Sequence, residues 1–255
     1  EVNDSGVNYV QWGWKANGAG SANTEGSINS IATSANATSG FSIVKYTGNG
    51  STNQTIGHGL GTVPDFVIVK QTNTTRNWPT YSRAMGNGVT FLDITDAFAS
   101  GYTNYFYPAG MTTTTFGISD NGNINESGGT YIAYVFSSRT GYSKFGKYTG
   151  NGNADGTFVY TGFKPAFVIF KQTNTSGGQW YIYDNKRGQN ELDEHLYPNL
   201  SSAEATGDNA IDILSNGFKM RSSNGDSNAS GGSYIYMAFA EAPLVGSNNV
   251  PCTAR

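Results

Sequence analysis

Phe66-Val-Ile-Val-Lys-Gln-Thr-Asn-Thr74 returns almost unchanged as Phe167-Val-Ile-Phe-Lys-Gln-Thr-Asn-Thr175, an offset of 101 residues. Upstream, Phe41-Ser-Ile-Val-Lys-Tyr-Thr-Gly-Asn-Gly50 is matched by Tyr142-Ser-Lys-Phe-Gly-Lys-Tyr-Thr-Gly-Asn-Gly152. Downstream, Ser127-Gly-Gly-Thr-Tyr-Ile-Ala-Tyr-Val-Phe136 is matched by Ser230-Gly-Gly-Ser-Tyr-Ile-Tyr-Met-Ala-Phe239. Three ordered blocks at a nearly constant offset point to internal duplication. The central block is short, apolar and β-branched, and a proline precedes it in both copies (Pro64, Pro165). That is the pattern of a strand buried in a sheet or sandwich core.

Seven Asn-Gly pairs, at Asn17, Asn49, Asn87, Asn121, Asn151, Asn216 and Asn224, read as two-residue hairpin turns, because that dipeptide supplies positive φ. Asp93–Phe98 and Ser201–Ala205 are the only segments read as a turn of helix. The fold class expected is all-β: two tandem antiparallel β-sandwich modules, jelly-roll-like, related by duplication. The divisions are residues 1–40, an N-terminal strand and Gly/Ser/Asn-rich linker closing a preceding module; 41–140, repeat 1; 141–243, repeat 2; and 244–255, a tail. Ser5–Trp14 repeats the closing block once more, so it is expected to dock on a neighbouring sheet. The start without Met, together with a first strand like a module's last, makes a processed or partial piece of a longer chain the expectation.

Charged residues are 13% of the chain and aromatic residues another 13%, enough rings to bury sizeable cores in a Gly- and Asn-rich background. A net charge of -3 without a basic run gives nucleic acid no electrostatic footing, and no apolar run is long enough to span a bilayer as a helix. The single cysteine, Cys252, rules out an internal disulfide framework. His58 and His195 have no cysteine pair beside them, so neither a metal nor a cofactor is expected.

Paired carboxylates are the chemistry most worth seeking in a secreted β protein. Asp93 and Asp96 in the first copy, and Asp184, Glu191, Asp193 and Glu194 in the second, do not correspond between copies and read as turn residues. A serine nucleophile lacks its Gly-x-Ser-x-Gly elbow, and Tyr-Thr-Gly-Asn-Gly lacks the Lys-Ser/Thr ending of a phosphate loop. Asn-x-Ser/Thr sequons, from Asn36 to Asn228, follow from composition. The aromatic strands are better candidates. Trp78-Pro-Thr-Tyr-Ser-Arg83 corresponds to Trp180-Tyr-Ile-Tyr-Asp-Asn-Lys-Arg187, and strand alternation separates Trp180, Ile182 and Asp184 from Tyr181 and Tyr183. One face is expected in the core. The other is expected to expose rings beside cationic donors, which makes Trp78, Tyr81, Arg83, Tyr181, Tyr183, Lys186 and Arg187 the candidate ligand-binding residues, for a sugar or a protein.

Tyr-Thr-Gly-Asn-Gly-Ser, Gly-His-Gly-Leu-Gly-x-x-Pro-x-Phe-Val-Ile-Val-Lys and Asn-x-Ser-Gly-Gly-Thr-Tyr-Ile-Ala-Tyr-x-Phe together resemble a repeated β-rich domain of unknown function common in marine tailed phages. The similarity covers Gly40 to Ala242, and in such proteins the repeats often follow a lectin-like or laminin-G-like sandwich. The resemblance carries no catalytic residues. It implies an extracellular virion protein, non-enzymatic, binding other virion subunits and a host surface glycan or protein as a tail-fibre or appendage module. A homo-oligomer is implied, three-fold assembly being common among fibres. Capsid decoration or fibre structure, and glycan depolymerisation, are the alternatives.

Overall fold

A computed structural model describes residues 4–6, 8–187, 194–207 and 211–241. The chain is all-β and antiparallel, with no closed barrel. Its first half contributes β1 (Ala32–Asn36), β2 (Phe41–Thr47), β3 (Gln54–Gly57), β4 (Phe66–Gln71), β5 (Pro79–Ser82), β6 (Gly88–Phe91), β7 (Ala99–Ser100), β8 (Thr115–Ile118) and β9 (Thr130–Phe136). The second half contributes β10 (Ser143–Thr149), β11 (Phe158–Tyr160), β12 (Phe167–Gln172), β13 (Trp180–Asp184), β14 (Ile211–Leu214), β15 (Gly217–Met220) and β16 (Ser233–Phe239).

These strands form a seven-stranded sheet, β1-β2-β9-β4-β5-β6-β7, faced by the pair β3-β8, and a four-stranded sheet, β10-β16-β12-β13, faced by β11-β15-β14. Strand alternation sends side chains to opposite faces, and each large sheet uses both. Val44, Tyr46, Val67, Val69, Tyr131 and Val135 meet Ile56, Phe116 and Ile118 in one core. Val168, Phe170, Tyr181, Tyr183, Tyr234 and Tyr236 meet Val159, Phe218 and Met220 in a second. The opposite faces of the two large sheets then pack on each other: Phe41, Phe66 and Phe136 share a third core with Phe167, Ile169, Trp180, Met237 and Phe239. The result is four layers of sheet enclosing three apolar seams, the middle one drawn from both halves of the chain.

Each half is locked by the same tyrosine pair. Tyr46 stacks on Tyr131 at 5.1 Å and Tyr148 on Tyr234 at 4.7 Å, geometry worth about 0.5–1.5 kcal/mol beyond area burial. Their hydroxyls donate to carbonyls of one-turn helices, α1 (Gly122–Asn125) and α2 (Gly225–Asn228): Tyr46 to Ile124, Tyr131 to Gly122, Tyr148 to Ser227 and Tyr234 to Gly225. Burial pushes the Tyr46 and Tyr148 hydroxyls well above the usual phenol range.

The same helices correct the hairpin reading of two Asn-Gly pairs. Asn121 and Asn224 are helix N-caps whose side chains accept from the backbone N–H two residues on, an alternative use of the asparagine oxygen. Between β14 and β15 the two-residue turn is Ser215-Asn216, and Gly217 already belongs to β15, paired with Leu214; neither Asn216 nor Gly217 takes positive φ. Neither Asp93–Phe98 nor Ser201–Ala205 is helical. The 1–40 segment also departs from the linker expected. Part of it forms the edge strand β1, and Ile28 is buried in the first core. Residues 9–14 form no strand; Trp12 and Trp14 instead pack edge-on against Phe167, and Trp14 against Phe239. Among the described residues no helix is long and apolar enough to cross a membrane.

Candidate functional site

The aromatic strands do not form the exposed platform that their alternation predicts. Tyr181 and Tyr183 do point away from Trp180 and Ile182, but both faces of β13 are covered. Tyr183 and Trp180 are 0% exposed and Tyr181 2%, so no external ligand reaches them. Tyr81 lies in the first core against Phe106. The physical reason is the fourth layer: a sheet packed on both sides has no solvent face to offer. The Tyr181 hydroxyl donates to Asp226 Oδ2 at 2.9 Å, and burial raises its pKa far above the usual phenol value. Trp180 Nε1 donates to the Phe91 carbonyl at 2.7 Å, joining the halves across the middle seam.

The remaining candidates are surface ties. Trp78 is half-buried, lines an apolar cavity of about 360 Å³ in the middle seam, and has the Lys70 ammonium 5.6 Å from its ring centre. Arg83 lies 3.6 Å from Asp65 at the surface. Lys186 pairs with Glu241 at 2.5 Å. Arg187 is shared by Asp184 (2.7 Å) and Glu204 (2.6 Å) and covers the Trp12 ring at 5.7 Å, pinning the N-terminal segment. Lys186 and Arg187 are thus committed to intrachain partners.

Asp93 and Asp184 have structural work of the same kind. Asp93 accepts from the Trp78 N–H at 2.9 Å. Asp184, 3% exposed, accepts from the backbone N–H of Lys186 and Arg187 as well as from the Arg187 guanidinium. Glu191 and Asp193 lie outside the described residues. His58 is fully buried: Nδ1 accepts from Leu60 N–H at 3.1 Å, leaving Nε2–H to donate to the Thr112 carbonyl at 3.3 Å. That pattern requires the neutral ring, and burial lowers its pKa accordingly. His195 is buried beside the Tyr197 hydroxyl at 2.8 Å.

A cleft of about 590 Å³ that the sequence reading missed opens at one end of the first half. Three separate segments wall it: Thr52 and Asn53 on the loop before β3, Thr103 to Tyr107 on the segment before a 3-10 turn (Pro108–Gly110), and Asp120 after β8. Its backbone is fixed from behind. Asn125, fully buried, donates to the Ser51 carbonyl and accepts from Asn49 N–H, holding the first loop. Ser119 N–H donates to Tyr105 O and Asn121 N–H to Asn104 O, clamping the other two segments together. Tyr107 is seated by two glycines: a Cβ at Gly110 would meet its ring at 2.9 Å, and one at Gly117 its carbonyl at 2.1 Å. Asn53 has φ +54, the left-handed region, and no other described non-glycine residue has positive φ.

A family model described as a domain of unknown function, DUF7483, matches residues 1–243. The chain belongs to that family. The match runs through both halves of the chain and the N-terminal segment. No curated protein and no solved structure matches the chain.

Proposed function

We propose that this DUF7483 protein is a non-enzymatic component of a virion, a module of a tail fibre or similar appendage that binds a glycan or protein on the host surface. The two halves are read as products of one duplication, and the module as working in a homo-oligomer beside other virion subunits. The resemblance of the repeated motifs to marine tailed-phage proteins supplies the context. The observation that carries the binding role is the cleft: a backbone tied from behind, presenting polar side chains with no partner among the described residues. Thr52, Asn53, Thr103 and Asn104 make no side-chain hydrogen bond to any described residue, and neither does the Tyr107 hydroxyl. In the same loops Asn49, Asn121, Asn123 and Asn125 are all consumed by the fold.

Recognition thus moves from the strand faces to the loops, where binding residues on a rigid sheet scaffold are usually found. The deciding experiment is an electron-microscopic map of the assembled particle that carries this chain. Free loops around Thr52 and Asn104 at the tip of an appendage are the expected result. Burial of those loops against capsid or shaft subunits overturns the binding role and makes the chain a decoration or fibre structural protein.

A further inference from the structure

The cleft narrows the class of ligand, an inference that rests on the binding role just proposed. Its floor is aromatic and apolar: the half-buried Tyr107 and Pro108 over the buried Phe106. Its rim is polar and almost uncharged: two amides, two hydroxyls and the single carboxylate of Asp120. Amide and hydroxyl groups donate and accept in close alternation, which suits a ligand that does the same. A flat ring beneath such a rim suits the apolar C–H face of a sugar ring. No lysine or arginine lines the cleft, so nothing there compensates an anionic ligand, and Asp120 opposes one. The volume falls within the roughly 300–1,000 Å³ of small-molecule sites.

Preorganisation strengthens the case. The left-handed Asn53 is a strained backbone position held by the Asn125 ties to its loop, and such strain gathers where side chains are aimed at a ligand. Because the buried network already fixes the backbone of the three walls, the ordering cost of binding is confined to the rim side chains. Among its described residues the second half offers no equivalent. In its matching loop the Asn153 oxygen accepts from Asp155 N–H, and the Tyr102–Pro108 aromatic run has no counterpart in its sequence.

We propose that the cleft formed by Thr52, Asn53, Thr103, Asn104, Tyr107 and Asp120 is a binding subsite for a neutral pyranose saccharide, present once per chain.

The test is a titration of the ¹⁵N-labelled 255-residue chain with methyl glucoside, methyl galactoside, methyl mannoside, maltose, cellobiose and lactose, followed by amide shifts. Saturable shifts confined to residues 52–53, 103–109 and 119–120 with at least one probe are expected. Asn104→Ala, an exposed side chain the fold does not use, should weaken that binding by about tenfold or more while leaving the melting temperature unchanged. Tyr107→Ala should weaken it further, and Tyr107→Phe should retain most of it, because the ring face is kept. No saturable shift with any probe up to about 50 mM overturns the proposal, as does binding that Asn104→Ala leaves intact. Failure here with the loops free in the particle removes the saccharide and leaves the binding role. Loops buried in the particle remove the binding role itself.

Discussion

Trp180→Phe tests whether the middle seam couples the two halves. The indole is fully buried, and its N–H provides the hydrogen bond to the Phe91 carbonyl at 2.7 Å, a contact between residues 89 apart in sequence. Phenylalanine keeps an aromatic ring in the seam but leaves that carbonyl without its donor. A buried group orphaned in this way costs about 1–3 kcal/mol, and contraction of the ring adds to the loss in the same direction. The seam already contains a cavity of about 360 Å³ bordered by Trp180, so neighbours have little reason to close over the new space. Trp180→Ala should cost about 3–5 kcal/mol or more. Trp78→Phe is the control: Trp78 borders the same cavity, yet its indole makes no hydrogen bond among the described residues, and a cost near or below about 1 kcal/mol is expected. Urea unfolding followed by far-UV circular dichroism gives the free energies, and hydrogen exchange of Gly88–Phe91 amides should quicken in Trp180→Phe. Equal losses for Trp180→Phe and Trp78→Phe, or a Trp180→Phe loss below about 0.5 kcal/mol, would refute the coupling.

Asn228→Ala should destabilise the second half by about 2 kcal/mol or more, since its buried amide accepts from Asn151 N–H and donates to the Asn153 and Ser222 carbonyls, and the loss should appear in the unfolding midpoint. His58 is held neutral with its pKa lowered, so as pH falls below the ordinary histidine value of 6.5 the unfolded chain takes a proton that the native chain resists, and stability drops. His58→Asn should flatten that slope, while the lowered carboxyls of Glu126 and Glu241 act only at lower pH, below about 4.5. Lys171 is 0% exposed with its Nζ on the Gly178 carbonyl, and burial lowers its pKa from 10.5 to about 8. Its folded value lies below its unfolded one, so stability should rise as pH climbs from about 8 to 10.5, and Lys171→Met should abolish the rise and raise the melting temperature at pH 7.

The repeat made the sheets legible because a matched apolar block such as Phe66–Lys70 and Phe167–Lys171 reads as a strand in any register. Period-two alternation also separated Trp180 from Tyr181 correctly. Which of those faces meets water was not local information. Trp180 is buried because Phe91 and Leu92, some 90 residues earlier, are folded over it. Lys70 and Lys171 make the same point at matched positions. One ammonium lies at the surface, over Trp78 and on the Arg76 carbonyl; the other is fully buried on the Gly178 carbonyl. Identical residues diverge where the layers around them differ.

The cleft was hidden for a different reason. Asn53, Asn104 and Asp120 sit in turn-rich sequence where asparagine and threonine usually serve the backbone, and nothing in residue type separates a consumed amide from a free one. The one signal available was asymmetry. Residues common to both halves serve the fold: Tyr46 and Tyr148, Asn125 and Asn228, Tyr131 and Tyr234 tie the helical turns and their neighbouring loops in each half. Tyr102-Thr-Asn-Tyr-Phe-Tyr-Pro108 is matched by nothing in the second half, so the shared scaffold does not require it. Polar groups that a fold neither repeats nor bonds lose nothing structural on substitution. Asn104→Ala should therefore leave unfolding unchanged where Asn228→Ala does not, and a large stability loss at Asn104 would show that the amide belongs to the fold after all.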